Sequence, residues 1–247
     1  MTSRPGQESG EAVELSIVIP VYNEGPAAEN VLRAIHGAVM TTKEIIVVWD
    51  FDGDTTRPVV EALQPSLPGL RGLRNDLGRG VLNAMRAGIS DAKGELILIS
   101  MADGSDEPLV IDLMVALARG GADVVAASRY MRGGGQIGGP LLKRVMSRAA
   151  GLTLHWFAGV PTHDPTNNFK LYRRTFLEST TIESSAGFEL ALELTVKATL
   201  AGRPVAEVPT IWRDRTAGQS NFKLRKWLPH YLRWYAVAFR GRRGSRS

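Results

Sequence analysis

Short apolar runs alternate with amphipathic segments along the first half of the chain. Four runs of mostly apolar, often β-branched residues occupy residues 15–20, 44–48, 95–99 and 122–126. Runs of this length without polar alternation are typical of strands buried on both faces. Between and after them, apolar residues recur at helical spacing and predict helices over residues 28–39, 57–63, 80–92 and 109–119. This alternation predicts an α/β fold with a mostly parallel sheet.

The second half of the chain has a less regular pattern. Residues 133–139 are predicted to form a glycine-rich loop, and residues 141–158 and 189–201 are predicted to be helical. Residues 204–209 predict an edge strand, because proline is tolerated at the edge of a sheet. In a mostly parallel sheet, ligands bind beyond the carboxyl ends of the strands, where this chain has many polar and acidic residues.

Positive charge is concentrated at the C-terminal end. The 247-residue chain has a formal net charge of +5, but residues 222–247 contain eight basic residues and no acidic one. We therefore expect a disordered tail over residues 1–13, one domain over residues 14–221 and a basic amphipathic segment over residues 222–247. The absence of cysteine excludes disulfides, thiolate metal sites and a cysteine nucleophile. No run approaches the ~20 apolar residues of a membrane span, and no signal peptide is recognised, so a cytoplasmic location is expected.

Two clusters of acidic residues follow predicted strands. Asp50, Asp52 and Asp54 come after the second strand, and Asp103 and Asp106 come after the third. Carboxylates brought together at strand ends repel one another unless a cation lies between them. A hard divalent cation bound to a substrate phosphate fits that requirement. Helix capping and turn formation are the alternative roles for these aspartates.

Basic residues lie near the glycine-rich loop and later in the chain. Arginine binds phosphate bidentately, so such a set suits phosphate recognition, whereas a solvated charged face is the alternative. The residues are Arg129, Lys143, Arg144, Arg148, Arg213 and Arg215. The chain has neither a Walker-type phosphate loop nor a G-x-G-x-x-G motif after the first strand, which argues against an ATPase or a typical dehydrogenase.

Six segments, in order along the chain, resemble glycosyltransferase family 2 and in particular its branch of dolichyl- and polyprenyl-phosphate mannosyltransferases. They are residues 16–24 (SIVIPVYNE), 44–50 (EIIVVWD), 78–88 (GRGVLNAMRAG), 126–130 (AASRY) with the glycines of 133–135, 168–174 (NFKLYRR) and 207–220 (EVPTIWRDRTAGQS). The resemblance runs from about residue 16 to residue 220. It implies a GT-A fold, which is a Rossmann-like, three-layer α/β architecture.

The resemblance also implies inverting transfer from a nucleoside diphosphate sugar, with GDP- or UDP-sugars as expected donors. The residues expected to bind the donor are Pro20, Tyr22, Glu24, Asp50, Asp52, Gly78 and Ser220. Those expected to bind an acceptor phosphate are Arg129, Lys143, Arg144 and Ser147. The expected catalytic residues are Asp103, Arg129 and Arg215. A cation and arginines would stabilise the charge that develops on the leaving diphosphate.

The expected metal site departs from the family's pattern. The family usually has Asp-x-Asp at the metal loop, whereas this chain has Met101-Ala-Asp103, followed by Asp106. We expect Mg²⁺ or Mn²⁺ to be bound by Asp103 and Asp106. Binding by Asp103 and substrate oxygens alone, and catalysis without a metal, are the alternatives.

The C-terminal segment combines apolar and aromatic residues at helical spacing with many basic ones. The apolar and aromatic residues are Leu224, Trp227, Leu228, Tyr231, Leu232, Tyr235 and Phe239. A basic amphipathic helix rich in Trp and Tyr is typical of an anchor on an anionic membrane surface. The alternative is a helix packed on its own domain. Nothing else in the chain indicates base readout, so no nucleic acid partner is expected.

The leading hypothesis is a peripheral transferase, on the cytosolic face of a membrane, that moves a hexose to a polyprenyl phosphate. An acceptor that is already a phosphate anion needs no general base. The second hypothesis is a soluble glycosyltransferase acting on a hydroxyl of a glycan or small metabolite, which needs a base such as Asp164, Glu189 or Glu193. The third is a sugar-nucleotide-binding protein without activity, suggested by Met101.

Overall fold

A seven-stranded sheet forms the centre of the protein, for which a computed structural model describes residues 12–214 and 224–244. The strands are β1 (Leu15–Pro20), β2 (Lys43–Trp49), β3 (Leu70–Arg74), β4 (Leu96–Ile99), β5 (Val124–Ser128), β6 (Gly135–Ile137), β7 (Lys170–Arg173), β8 (Val205–Pro209) and β9 (Ile211–Arg213). In the main sheet they lie in the order β3-β2-β1-β4-β7-β5-β8. Neighbours are parallel except that β7 runs antiparallel to β4 and β5. The predicted, mostly parallel sheet is therefore confirmed.

Helices cover both faces of this sheet. They are α1 (Ala27–Ala38), α2 (Arg57–Leu63), α3 (Val81–Asp91), α4 (Ile111–Arg119), α5 (Leu141–Thr153), α6 (Arg174–Glu178), α7 (Leu190–Leu200) and α8 (Leu224–Gly244). On one face α1, α2 and α4 pack against strand residues such as Ile17 and Val47. On the other face α3, α6 and α7 pack against residues such as Val18 and Val48. Because alternate strand residues point to opposite faces, β1 is buried on both sides, as its unbroken apolar run predicted.

The structure contains strands that the hydrophobic pattern did not predict. In β3 the apolar residues are interrupted by arginines and by Gly72, whose missing side chain leaves room for the Trp49 ring. In β7 only four residues are extended, beginning at the buried Lys170. The segment predicted as one glycine-rich loop contains β6, which pairs with β9 in parallel. The edge position predicted for β8 is confirmed.

The C-terminal helix α8 packs on its own domain through part of its apolar side. Trp234 and Ala238 are buried in a third apolar cluster with Leu154 and Val196, and the Tyr231 hydroxyl donates to the carbonyl oxygen of Phe188 at 2.8 Å. Pro229 lies within the helix. None of the described helices is long and apolar enough to span a membrane. The predicted site residues Arg215 and Ser220 lie outside the described residues.

Candidate active site

The candidate site lies at the edge of the sheet where the parallel strands end. The loops after β1, β2, β4 and β5 meet there and contain the predicted residues Tyr22, Asp50, Asp103 and Arg129. Pro20 is the last residue of β1 and is buried. Parallel strands all end at the same edge, so side chains distant in the sequence come together.

The loops after β1 and β2 are joined by Asp54 and Thr56, which are both buried. The Asp54 carboxylate accepts hydrogen bonds from the backbone N–H of Asn23 at 2.9 Å and of Thr56 at 2.8 Å. The Thr56 hydroxyl accepts a hydrogen bond from the N–H of Glu24 at 3.0 Å. These bonds hold Asn23 at a φ of 55°, an unusual value for a residue with a side chain. Asp54 therefore positions the loop that contains Tyr22 and Glu24.

The carboxylate of Asp50 is fixed by the turn that follows β3. Its Oδ1 accepts a hydrogen bond from the Asn75 amide at 2.8 Å, and its Oδ2 accepts one from the Gly80 N–H at 2.8 Å. The same Asn75 amide donates to the carbonyl oxygen of Gly78 at 2.7 Å. Gly78 and Gly80 adopt φ angles of 97° and 128°, which glycine tolerates best. The structure thus brings together the predicted donor residues Asp50 and Gly78.

Aromatic and charged side chains surround this turn. The rings of Tyr22 and Phe51 lie 5.8 Å apart, and the Arg79 guanidinium lies 5.3 Å from the Phe51 ring centre. Asp52 differs from Asp50, because its exposed side chain pairs with Arg57 at 3.7 Å and with Arg74 at 3.4 Å. Asp52 also lines a groove of about 340 Å³ with residues of β2, α2 and β3.

Asp103 and Asp106 form a close carboxylate pair after β4. The Asp106 Oδ2 accepts hydrogen bonds from the Ser100 hydroxyl at 2.9 Å and from the Met101 N–H at 3.1 Å. The Asp103 Oδ1 accepts one from the Ser105 N–H at 3.0 Å. Burial, and to a lesser extent the charge of Asp103, raise the pKa of Asp106 to about 7.

This carboxylate pair fits the chemistry of a hard divalent cation, which would neutralise two acids that repel each other. Within residues 12–214 and 224–244, however, no group of three or more His, Cys, Asp or Glu side chains is arranged to hold a metal. Oxygen atoms of a diphosphate and water would have to complete the coordination shell. The residues present therefore fit a cation that is bound together with the donor.

Arg129 is held by an almost fully buried ion pair with Asp164. The Arg129 Nε donates to Asp164 Oδ2 at 2.6 Å and the Nη2 donates to Oδ1 at 2.9 Å. Burial alone would raise the pKa of Asp164, but the charge and hydrogen bonds of Arg129 hold it below its usual value. The charge of Arg129 also acts on Asp106, which shows that the two predicted groups lie near each other.

Lys170 supports the loop that carries Asp164. It is fully buried, and its ammonium nitrogen donates to the carbonyl oxygen of Asp164 at 3.0 Å and to that of Asn167. Burial lowers the pKa of Lys170 to about 7. Lys170 lies in the family segment 168–174 and in the short strand β7, but hydrophobic periodicity does not mark it as part of the site.

Arg129, Tyr130 and Ser147 form the second half of the candidate site. The Tyr130 hydroxyl is hydrogen-bonded to the Ser147 hydroxyl on α5, and the Arg129 guanidinium lies 5.0 Å from the centre of the Tyr130 ring. Burial raises the pKa of Tyr130, so the hydroxyl stays protonated and can donate a hydrogen bond to an anion. Lys143 and Arg144 lie on the same helix, and the charge of Arg144 acts on Tyr130.

The three carboxylates considered as general bases all have partners within the protein. Asp164 pairs with Arg129. Glu189 accepts hydrogen bonds from three successive backbone N–H groups, those of residues 185–187. Glu193 accepts two more, from residues 183 and 184, at 2.6 and 2.7 Å. These contacts give each carboxylate a structural role.

Sequence reasoning missed Asn75, Tyr130 and Lys170 as parts of the site. Asn75 directly follows β3 and would have been noticed had that strand been predicted. Tyr130 directly follows Arg129, and a polar aromatic residue at the end of a buried strand is a signal that was available.

Comparison with solved structures identifies the fold as GT-A. The protein is similar to glucosyl-3-phosphoglycerate synthase from Mycobacterium tuberculosis, solved in complex with Mn²⁺, uridine diphosphate and glucosyl-3-phosphoglycerate, with a TM-score of 0.66. The match covers 98% of this chain and 86% of that one at 18% sequence identity. At this identity the likeness establishes the fold alone.

Sequence comparison establishes the family. Residues 16–181 match the model of glycosyl transferase family 2, and the chain belongs to that family. It is 27% identical over 226 residues to the dolichol-phosphate mannosyltransferase of Pyrococcus furiosus, covering 90% of this chain but only 62% of that relative. It is 30% identical over 212 residues to the polyprenol monophosphomannose synthase of Mycolicibacterium smegmatis, covering 83% and 79% of the two chains. The predicted family and branch are confirmed.

Proposed function

We propose that the protein transfers a hexose, with inversion at the anomeric carbon, from a nucleoside diphosphate sugar to a polyprenyl phosphate. One observation carries the proposal: a carboxylate pair suited to a diphosphate-bound cation lies near a cluster suited to an anionic acceptor. The pair is Asp103 and Asp106, and the cluster is Arg129, Tyr130 and Ser147. The names of the two curated relatives support a polyprenyl phosphate as the acceptor class and mannose as one candidate sugar.

In this proposal the donor lies along the loops after β1, β2 and β4. Tyr22, Glu24 and Asp50 contact the nucleoside, and the turn containing Gly78 approaches it from the side of β3. An Mg²⁺ or Mn²⁺ ion held by Asp103 and Asp106 would supply Lewis-acid stabilisation of the diphosphate. Arg215 and Ser220 remain predictions for residues that contact the donor.

The reaction exchanges one carbon–oxygen bond for another. An oxygen of the acceptor phosphate attacks the anomeric carbon as the bond from that carbon to the diphosphate breaks, and the electron pair leaves with the nucleoside diphosphate. The nucleophile is already an anion, so no proton has to be removed by a base. Arg129 orients the acceptor phosphate and offsets its charge. Tyr130 and Ser147 are hydrogen-bonded to each other, so one hydroxyl donates to its neighbour and the other donates to the phosphate.

A product assay tests this function. The protein is incubated with labelled GDP-mannose or UDP-glucose, Mg²⁺ or Mn²⁺, and either a polyprenyl phosphate or a water-soluble hydroxyl acceptor. We expect label in an organic-extractable product with one of the donors, a reduction at sub-saturating acceptor for Ser147→Ala, and normal activity for Arg33→Gln on the exposed surface of α1. Label transferred only to the water-soluble acceptor would overturn the acceptor assignment, and nucleotide binding without any transfer would overturn catalysis.

A lipid acceptor requires the protein to work at a membrane surface. Residues 222–247 were predicted to contact an anionic membrane, and α8 supports this proposal through its basic residues, since no acidic residue occurs between Leu224 and Gly244. Several of its aromatic residues nevertheless pack against the protein itself. Leu232 is exposed and could contact a membrane, but it offers less apolar surface than those aromatic residues.

A further inference from the structure

Asn168 lies two residues before β7, at the edge of the sheet where the candidate active site is built. β7 runs between β4 and β5 and is antiparallel to both. Its first residue, Lys170, pairs with the last residue of β4 and with the third residue of β5. Counted two residues further along these registers, Asn168 comes level with Met101 on the β4 side and with Ser128 on the β5 side.

This position lies between the two groups that the proposed reaction needs. The loop after β4 contains the carboxylate pair Asp103 and Asp106, and Arg129 directly follows β5. The anomeric carbon is bonded to the diphosphate before transfer and to the acceptor phosphate afterwards. The hexose must therefore lie between the cation site and the acceptor cluster, where the chain enters β7 with Asn168.

The orientation of the Asn168 amide is set by a backbone carbonyl group before α7. The Asn168 Nδ2 donates to the carbonyl oxygen of Phe188 at 3.4 Å, and the Tyr231 hydroxyl of α8 donates to the same oxygen at 2.8 Å. Exchange of the two ends of the amide would bring two oxygen atoms together, so the nitrogen is the atom that faces Phe188. The Oδ1 therefore lies on the other side of the amide.

The Oδ1 of Asn168 is buried and accepts no hydrogen bond from any residue that the structure describes. The adjacent Asn167 differs, because its Nδ2 donates to the carbonyl oxygen of Ala127 at 2.9 Å and its Oδ1 accepts from the N–H of Phe169 at 3.4 Å. A buried acceptor without a donor costs free energy, which a ligand hydroxyl would recover by donating to it. Asn168 as a whole is half-buried, and the terminal torsion of asparagine is soft, so the oxygen can turn toward a ligand.

We infer that Asn168 recognises the transferred hexose, with its Oδ1 accepting a hydrogen bond from a hydroxyl group of the sugar. A hexose carries several hydroxyl donors, whereas an ionised diphosphate offers none. A site that pairs with a substrate hydroxyl discriminates strongly against an analogue that lacks it. The inference rests on the proposed nucleoside diphosphate sugar as donor and does not depend on the acceptor. A buried water at the same oxygen, which would give Asn168 a structural role alone, is the competing explanation.

Isothermal titration with Mg²⁺ and without acceptor tests the inference by comparing UDP with UDP-glucose and GDP with GDP-mannose. Asn168→Ala should weaken binding of the preferred sugar nucleotide by about tenfold and leave binding of the corresponding nucleoside diphosphate unchanged. Asn30→Ala, at an exposed asparagine of α1, should change neither affinity. Asn167→Ala loses two internal hydrogen bonds and should lower the melting temperature more than Asn168→Ala, which loses one long bond.

Monodeoxy analogues of the bound donor identify the hydroxyl. Removal of the contacted hydroxyl should weaken binding to the unmodified protein about tenfold and binding to Asn168→Ala hardly at all, since that interaction is already lost. A crystal structure of the unmodified protein with a non-hydrolysable donor tests the contact without any variant. A sugar hydroxyl should lie within about 3.2 Å of the Asn168 Oδ1.

Two results overturn the inference. One is an equal loss of affinity for nucleoside diphosphate and sugar nucleotide in Asn168→Ala, and the other is a water at the Oδ1 with every sugar hydroxyl elsewhere. If the unmodified protein binds neither sugar nucleotide, the proposed donor and this inference both fail. A selective loss of sugar-nucleotide binding in Asn168→Ala, found in a protein that forms no lipid-linked product, refutes the proposed acceptor and leaves the role of Asn168 intact.

Discussion

Arg129 and Asp164 form a two-point ion pair in which the Asp164 side chain is fully buried and that of Arg129 is only 13% exposed. The backbone N–H of Arg129 also donates to Asp164, at 3.1 Å. These contacts tie the end of β5 to the loop before β7. The guanidinium is therefore fixed relative to the sheet before any substrate arrives, and such preorganisation reduces the free-energy cost of orienting an acceptor.

Replacement of Asp164 should strongly destabilise the protein. Asp164→Asn leaves the Arg129 charge buried without a counterion, and we expect a loss of about 3–5 kcal/mol in the free energy of unfolding. Urea unfolding at neutral pH measures it. The control is Glu29→Gln, which breaks the exposed 2.9 Å pair with Arg33 and should cost less than about 1 kcal/mol. Equal losses in the two variants would show that the buried pair is not important for stability.

Asp50 and Asp52 should differ in their effect on donor binding. Asp50→Asn replaces an oxygen that accepts the Asn75 or Gly80 hydrogen bond by an amide, so the turn containing Gly78 should move and nucleotide affinity should fall by about tenfold. Asp52→Asn removes only exposed ion pairs and should change affinity less than about twofold. Isothermal titration with GDP and UDP measures both. A larger effect for Asp52 would reverse their assignment.

The sequence pattern predicts strands well where burial alone decides the residue types. β1 is an unbroken apolar run and was predicted with its observed limits, whereas β3 and β7 contain arginine and lysine whose charged ends find partners elsewhere. Arg71, for example, donates to Glu44 at 2.8 Å across the sheet. Hydrophobic periodicity carries no information about such partners, so these two strands could not be recognised from it.

The candidate site was predicted as a set of residue types and not as an arrangement. Asp50 and Arg129 were recognised because each follows a predicted strand and lies in a family segment, and Asp103 was recognised as part of the acidic cluster after the third predicted strand. Their partners Asn75 and Asp164 lie 25 and 35 residues away. No local rule links residues at those separations, because the contact exists only once the strands are ordered in the sheet.

Metal binding should require Asp106 and depend on the nucleotide. With UDP or GDP present, Mn²⁺ should raise the melting temperature of the unmodified protein, since a ligand that binds the folded state stabilises it. Asp106→Asn should lose this increase, and Met101→Asp should enlarge it by adding a third carboxylate. Asp76→Asn, at an exposed acid outside the cluster, is the matched control. An unchanged Mn²⁺ effect in Asp106→Asn would remove that residue from the metal site.

Loss of the Tyr130 or Ser147 hydroxyl should affect the acceptor and spare the donor. Tyr130→Phe and Ser147→Ala each remove a hydrogen-bond donor from the cluster, and the KM for polyprenyl phosphate should rise about tenfold. The Kd for the nucleotide should stay constant, as measured by titration. Ser66→Ala, at the 3₁₀ turn after α2, is the control for both measurements. A parallel loss of nucleotide affinity would place these hydroxyls in the donor site.

The buried Lys170 should make stability rise with pH above neutrality. The pKa of Lys170 in the folded protein is about 7, below its usual 10.5. Burial is the main cause of this decrease, and the positive charge of Arg129 adds to it. The negative charges of Asp164 and Glu207 act in the opposite direction. Between these two pH values the unfolded chain holds a proton that the folded protein has released. The free energy of unfolding therefore increases with pH, by up to about 1.4 kcal/mol per unit. Below pH ~7 both states are protonated and this contribution is constant.

Urea unfolding of the unmodified protein and of Lys170→Met, compared from neutral to mildly alkaline pH, isolates this effect. Titrations of the other groups are common to both proteins and cancel in the difference. The unmodified protein should gain stability relative to Lys170→Met as the pH rises, because only it can release the Lys170 proton on folding. A difference that stays constant would mean that Lys170 remains charged in the core, held by Asp164 and the carbonyl oxygens that it contacts.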